Sequence, residues 1–402
     1  MIAVRAGFLP LLDASILIAA FELGFAADNN IDLKLIRETS WANVRDRVSV
    51  GQFDVAHMLA PLPIAQNLGL SPLSVKMIAP FALGLGGNAV TVSTELWKAM
   101  AAQGALNSGD AKINGAALQE VLKNHAPITL AVVHNFSAHS YELRYWLAAC
   151  GINPAKDVNI TIVPPSLMAD ALASGAIDGF CVGEPWNSVA VAMGAGQVAT
   201  TKSAIWRSSP EKVLGMTQKW AEQNSETLDQ LLQTLQRSAM WCAKVENREE
   251  LAKILASSEY LNLPEKVLLR GLEGRLTGET VHNDFLQFYE SAANFPWQSH
   301  ALWFYSQMAR WQQVALTPEN ALIAKNSYRP DIYRRALVGT GIALPGASSK
   351  VEGGLTETTF VSAQGGQLAL GPDGFFDNVK FDPDAVENYV EQSSYFGALH
   401  NN

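Results

Sequence analysis

Residues 2–37, IAVRAGFLPLLDASILIAAFELGFAADNNIDLKLIR, change hydrophobic period twice within one short stretch. The opening residues read as an apolar strand that ends in a turn bounded by Pro10. From about Ser15 the pattern is that of a helix, and residues 31–37 alternate apolar and polar as a strand does. Strand, helix and strand in this order form a βαβ unit, the building block of parallel and mixed α/β sheets. Residues 14–25 are also apolar enough to mimic the central region of a secretion signal. Asp13 and Glu22 interrupt that pattern and only Arg5 precedes it, so the stretch reads as the first helix of the fold. On this reading the chain has no export signal and is expected in the cytoplasm.

The same rhythm continues outward. Further strands are expected at residues 55–58, 74–78, 89–92, 128–133, 158–163 and 179–182, with a helix from about Ala42. From about Ser225 the pattern is helical only: Leu228, Leu231, Leu232 and Leu235 share one face, and Asn247-x-x-Glu250 reads as a capping box. Residues 344–373, rich in Gly, Ser and Thr, read as an extended loop or linker, mobile or wrapped on the surface. With 402 residues, 48% hydrophobic and 17% charged, the chain exceeds one ordinary core, so two lobes are expected. No apolar run reaches about 20 residues, which argues against a transmembrane helix. A formal charge of −9 argues against direct binding of nucleic acid or an acidic membrane, which needs clustered Lys and Arg. The three cysteines, Cys150, Cys181 and Cys242, are odd in number and lack C-x-x-C spacing, so buried thiols are expected rather than disulfides or zinc.

Four segments place polar groups at the ends of expected strands, where open α/β sheets bind ligands. In Ser40-Trp41-Ala-Asn-Val-Arg45-Asp46, Trp41 either walls a pocket or packs at the sheet edge. In Gly84-Leu-Gly86-Gly87-Asn88, the glycines permit close backbone approach and Asn88 offers an amide. The spacing is not a phosphate or dinucleotide fingerprint, and a crossover between lobes accounts for it equally well. In Asn135-Phe136-Ser137-Ala138-His139-Ser140, Ser137 and His139 fall at a helix N-terminus, whose free N–H groups suit an anion; a protonated His139 would add a charged donor. In Phe180-Cys181-Val182-Gly183-Glu184-Pro185-Trp186, a buried strand turns into a helix with Pro185 at its first position. The Glu184 carboxylate would repel an anion, so it should turn away or pair with a cation such as Lys212.

Together these segments resemble the nitrate- and bicarbonate-binding receptor family of ABC importers, over nearly the whole chain. The resemblance includes Gly7-Phe-Leu-Pro10, Met58-Leu-Ala-Pro61-Leu-Pro63, Arg144-Tyr-Trp146, Cys181-Val-Gly-Glu-Pro-Trp186-Asn, Pro210-Glu-Lys-Val-Leu-Gly-Met216 and Phe375-Phe376-Asp. It implies a two-lobed periplasmic-binding-protein-like (type II) α/β fold with mixed sheets flanked by helices and a helical C-terminal part. Lobe I would comprise residues 1–86 and 203–402, lobe II residues 87–202, with the ligand in the cleft between them. It also implies no catalysis, no cofactor and no metal, and an anion site built from Trp41, Asn88, His139, Gly183, Glu184 and Lys212. Asn88 stands where nitrate receptors usually carry Gln, one methylene longer. Lys212 stands where bicarbonate receptors tend to hold an acidic residue and use calcium, which favours nitrate or nitrite without separating them. A trigonal monoanion offers only acceptors, and these side chains are mostly donors.

The expected absence of an export signal shifts the resemblance toward the cytoplasmic nitrate/nitrite sensors of assimilation operons. Their implied partner is an RNA-binding antitermination regulator, released when the anion binds. The other readings are a nitrate receptor of an ABC importer, a receptor for another oxyanion or a sulfonate, and an enzyme like the pyrimidine-forming relatives of the wider fold. The last needs a cysteine cluster that this sequence lacks.

Overall fold

The computed structural model describes residues 1–123, 126–278 and 280–393, so the last residues of the expected first lobe, 394–402, lie outside it. The opening βαβ unit becomes β1 (Ile2–Phe8), the helix Ser15–Glu22 and β2 (Ile31–Arg37), followed by β3 (Val55–Leu59) and the short β4 (Met77–Ile78). β1 pairs in parallel with both β2 and β3. All five residues of β3 are buried, as a strand covered on both faces requires.

The chain then leaves this sheet through β5 (Leu85–Gly86) and builds a second one from β6 (Asn88–Ser93), β7 (Ile128–Val132), β8 (Val158–Ile162), β9 (Gly179–Gly183) and β10 (Gly196–Thr201). It returns to the first sheet as β11 (Lys212–Thr217). The first sheet has the order β2-β1-β3-β11-β4 and the second β10-β6-β9-β7-β8. Parallel and antiparallel pairs occur in both. The glycine-rich segment before Asn88 serves the outward passage. Gly86 has φ +76°, and a Cβ there would stand 2.1 Å from the Phe285 carbonyl oxygen, against which β12 (Leu286–Gln287) pairs with β5.

Within these two sheets the unanticipated strands are β10 and β11, and the expected strand at 74–78 contracts to Met77–Ile78. β11 begins with a charged residue and contains Gly215, neither a strand signal. A Cβ on Gly215 would come within 2.6 Å of the Met58 sulfur on the neighbouring strand, so the glycine reflects close strand approach.

The helical half follows the leucine stripe: Leu228, Leu231, Leu232 and Leu235 on the helix Ser225–Cys242 are fully buried against the first helix, where Ser238 also donates to the Ile16 carbonyl. The capping box does not form. Asn247 ends a 3-10 turn in helical conformation, and its amide donates to the Trp241 carbonyl at 2.9 Å instead of capping Arg248–Leu255. Pro185 precedes its helix, Trp186–Ala192, by one residue. Among the described residues no helix is long and apolar enough to cross a membrane.

The Gly/Ser/Thr-rich stretch wraps the surface as an ordered structure. β13 (Leu344–Pro345), β14 (Thr359–Gln364) and β15 (Gly366–Leu370) form a small antiparallel sheet. A buried charge cluster anchors it: Lys350 pairs with Glu352 and with Asp373 (2.6 Å), Ser299 donates to Glu352 at 2.6 Å, and Asp373 accepts from the Leu355 N–H at 2.8 Å. Lys350→Ala would leave two buried carboxylates without their cation. Urea denaturation should show a loss of roughly 3 kcal/mol or more, against nearly no change if the stretch were a free linker.

Candidate functional site

The candidate site forms where the edges of the two sheets that carry Lys212 and Asn88 meet. β11 runs antiparallel to β3, so Lys212, its first residue, lies opposite Leu59, the last residue of β3. In the second sheet Asn88, the first residue of β6, likewise lies opposite Gly183, the last of β9. Antiparallel strands thus bring their N-terminal residues to the edge where the parallel strands end.

Local turns aim the remaining side chains. Ser40 caps the helix Trp41–Ser49 by accepting from the Asn43 N–H, which fixes Trp41 at the first helical position, fully buried. Ser137 caps Ala138–Ala149 in the same way, with His139 in the first turn and 0% exposed. Asp13 enters from the 3-10 turn after β1, and His57 from the middle of β3.

Lys212 is the hub. Its ammonium donates to Asp13 Oδ2 at 2.7 Å and to Glu211 Oε1 at 2.5 Å, and lies 5.3 Å from the centre of the Trp41 ring. Asp13 also faces His57 Nε2 at 2.8 Å, while His57 Nδ1 accepts from the Leu9 N–H. Glu211 Oε2 accepts from Asn88 Nδ2 at 2.6 Å and Lys202 Nζ at 2.5 Å, and Oε1 is 3.3 Å from His139 Nε2. Lys202 also donates to the Pro210 carbonyl and approaches Glu142 at 3.1 Å. A Cβ on Gly183 would meet Asn88 Oδ1 at 3.2 Å and Asp13 Oδ2 at 3.5 Å, so the glycine leaves room beside both.

Burial and pairing set the charges. Burial alone would raise Asp13, but Lys212 and His57 outweigh it and hold its carboxyl at about 2. Glu211 is held below the carboxylate range by its neighbouring cations despite burial, and Lys212 is raised because Asp13 and Glu211 outweigh its desolvation. Burial dominates His139 and, with Lys212 and Lys202 adding repulsion, brings it down to about 3 although Glu211 opposes the fall. His139 is therefore neutral in this state, not the charged donor expected from its helix position. Burial, with repulsion from Glu211, raises the Glu142 carboxyl to about 8, although Lys202 opposes the rise.

Of the six residues singled out in sequence, the structure brings Trp41, Asn88, His139, Gly183 and Lys212 together. Only the backbone of Glu184 reaches the site, its carbonyl accepting from the Leu12 N–H at 2.8 Å. Its side chain turns away toward Gly271, with Oε2 3.1 Å from where a Cβ on that residue would stand, and Lys212 does not pair with it. Asn88 spends its amide on Glu211, which the shorter side chain reaches. Sequence reasoning missed Asp13, His57, Glu142, Lys202 and Glu211. The Glu-Lys pair at 211–212 was a visible signal for the last, but a carboxylate beside an expected anion site reads as repulsion.

Three buried polar atoms at the junction, Trp41 Nε1, His139 Nδ1 and Asn88 Oδ1, have no hydrogen-bond partner among the described residues, and His139 Nε2, 3.3 Å from Glu211 Oε1, makes no well-directed hydrogen bond. Unsatisfied buried groups are costly, and a cluster of them containing donors, beside a lysine, suits a small polar ligand.

The sequence pattern of the NMT1-like family matches residues 2–256. The chain is 30% identical to the nitrate/nitrite binding protein NrtA of Nostoc sp. PCC 7120, over 96% of this chain and 84% of that protein. It is 33% identical over 82% of its length to the nitrate import ATP-binding protein NrtC of Synechocystis sp. PCC 6803, of which it spans 49%. Its fold matches the crystal structure of the periplasmic nitrate-binding protein NrtA from Synechocystis PCC 6803 with a TM-score of 0.84 and 27% identity, covering 97% of each chain. The architecture is thus the two-sheet α/β arrangement of periplasmic binding proteins, and the full-length relatives are binding proteins rather than enzymes.

The Glu184 carboxyl is raised to about 7, because burial outweighs its hydrogen bonds from Ser188 and Asn187. A raised carboxyl keeps a proton that the unfolded chain releases, so its contribution is complete below the unfolded pKa near 4.5 and is lost as pH rises through 7. Denaturant titrations should show Glu184→Gln gaining stability relative to the parent between pH 5 and pH 8, by roughly 3 kcal/mol at the upper end. A constant difference across that range would contradict this.

Proposed function

The chain belongs to the NMT1-like family, and from that premise we propose that it is a non-catalytic receptor for nitrate or nitrite that feeds an ABC importer. The observation that carries the reading is the junction itself: the indole N–H of Trp41, buried and without a partner, lies beside the Lys212 ammonium, and the buried His139 ring, without a well-directed hydrogen bond, lies beside the Glu211 carboxylate that Lys212 also meets. A trigonal monoanion there would accept from Trp41 and Lys212 and from whichever His139 nitrogen carries the proton. The similarity to NrtA over nearly the full chain, and to part of a nitrate-import ATPase, supports both the ligand class and the import role.

In this reading residues 1–86 and 203–402 act as one lobe and 87–202 as the other, with the anion drawing Lys212 and Trp41 of the first toward His139 and Asn88 of the second. Release into a transporter would follow from reopening. The cytoplasmic sensor that frees an antitermination regulator rests on sequence resemblance alone. The full-length relatives are nitrate/nitrite binding proteins and one is described as periplasmic, so importer receptor and a periplasmic location take precedence.

Calorimetric titration with nitrate, nitrite, bicarbonate and taurine tests the proposal. Nitrate or nitrite should bind with the highest affinity, and Trp41→Phe, which deletes one N–H donor to a charged acceptor, should weaken that binding about 10–100-fold while the melting temperature stays near that of the parent. Preference for bicarbonate or taurine, or an unchanged affinity in the variant, would contradict it.

A further inference from the structure

Glu211 holds an unusual set of partners for a carboxylate beside an anion site. Its two oxygens take Lys212 Nζ at 2.5 Å, Lys202 Nζ at 2.5 Å and Asn88 Nδ2 at 2.6 Å, with His139 Nε2 at 3.3 Å. The three hydrogen-bond donors come from both sheets and the crossover between them, and two of them, Lys212 and Asn88, belong to the set through which the receptor reading binds its ligand. A carboxylate, nitrite and nitrate share one recognition chemistry: a planar centre, a single negative charge and only acceptor oxygens.

We propose that Glu211 is a built-in stand-in for the anion: a specificity-determining carboxylate that occupies the ligand's donors and yields or shares them when a free oxyanion enters. The inference rests on the reading of this junction as an anion site. Its basis is geometric. Glu211 is 1% exposed and joins Asn88 of one sheet to Lys212 of the other, so the edges are held together by an internal anion. The charge count agrees: with Glu142 kept protonated at neutral pH by burial, Asp13 and Glu211 balance Lys202 and Lys212, and an incoming monoanion exceeds that balance by one. A permanent carboxylate there lowers affinity for every anion, so only ligands able to replace its contacts, small planar oxyanions, compete well.

A simple supporting counterion makes the opposite prediction. If Glu211 only orients Lys212, removing its charge disorganises the site and weakens binding. If it competes, removing its charge frees donors and adds one net positive charge. Glu211→Gln should therefore bind nitrate or nitrite about tenfold or more tightly than the parent in calorimetric titration. Glu211→Ala should gain affinity for formate, a free carboxylate that fills the vacated position and competes with nitrate. Circular dichroism and melting confirm folding. Should either variant fail to fold, Glu211→Asp retains the counter-charge but withdraws it by one methylene from Asn88 and Lys202, and it should also bind more tightly. Weaker or unchanged anion binding in the folded variants, with no gain for formate, overturns the proposal. The parent's own selectivity tests the receptor reading separately: a parent that binds another small oxyanion but neither nitrate nor nitrite, beside a Glu211→Ala variant that gains formate, refutes the nitrate reading and keeps this one. Absence of anion binding in all of them overturns both.

Discussion

The structure depends on a buried charge set at the line where two sheets meet. Lys212 and Lys202 are held among Asp13, Glu211 and Glu142, all nearly inaccessible to water. Burying such charges is costly, and the cost is offset only when each meets an opposite charge or a directed dipole. That condition fixes much around it. The turn after β1 must deliver Asp13, the crossover must deliver Lys202 and Glu211 on either side of Pro210, and β11 must begin at Lys212. None of these parts can shift alone without leaving a buried ion uncompensated, which costs about 3–5 kcal/mol in comparable cases. Once these charges are paired, Trp41 Nε1 and His139 Nδ1 remain at the junction without hydrogen-bond partners among the described residues.

A second constraint acts from outside the sheets. The chain after the small β13–β15 sheet crosses back over the junction and packs an aromatic group against it. Phe375 stacks on Trp206 with ring centres 4.6 Å apart, and Trp303 lies 4.6 Å from Trp206 on another side. Tyr145 packs 5.3 Å from Phe375 and donates to Asp377. Trp206 belongs to the returning crossover, Trp303 to the C-terminal helices, and Tyr145 to the helix whose first turn carries His139. The aromatic group therefore ties the helix that carries His139 to the C-terminal strap.

Legibility followed the range of the forces involved. The leucine stripe at 228–235, the βαβ opening and the polar strand ends were readable because each depends on neighbours within a few residues. The failed capping box at Asn247 shows the limit of such a rule. The motif was present, but the preceding 3-10 turn put the residue in helical conformation and its amide found the Trp241 carbonyl. The 344–373 stretch misled for a different reason: its composition is that of a linker, and its order comes from Lys350, Glu352 and Asp373, which meet Ser299 of a distant helix.

By itself the sequence determined that this is an alternating α/β chain with a helical second half, and that Trp41, Asn88, His139 and Gly183 fall at strand and helix ends, because those properties are written in local period and spacing; nothing local marked Lys212 as the start of a strand. Only the tertiary structure decided what those residues do to one another. It placed β11 between β3 and β4, turned the buried Glu184 side chain away from the junction, and set Glu211 among donors from both sheets. It also made His139 neutral by burying it. Charge state and partner choice depend on what surrounds a side chain in three dimensions, through desolvation and Coulomb interaction across distant segments, and no local pattern carries that information.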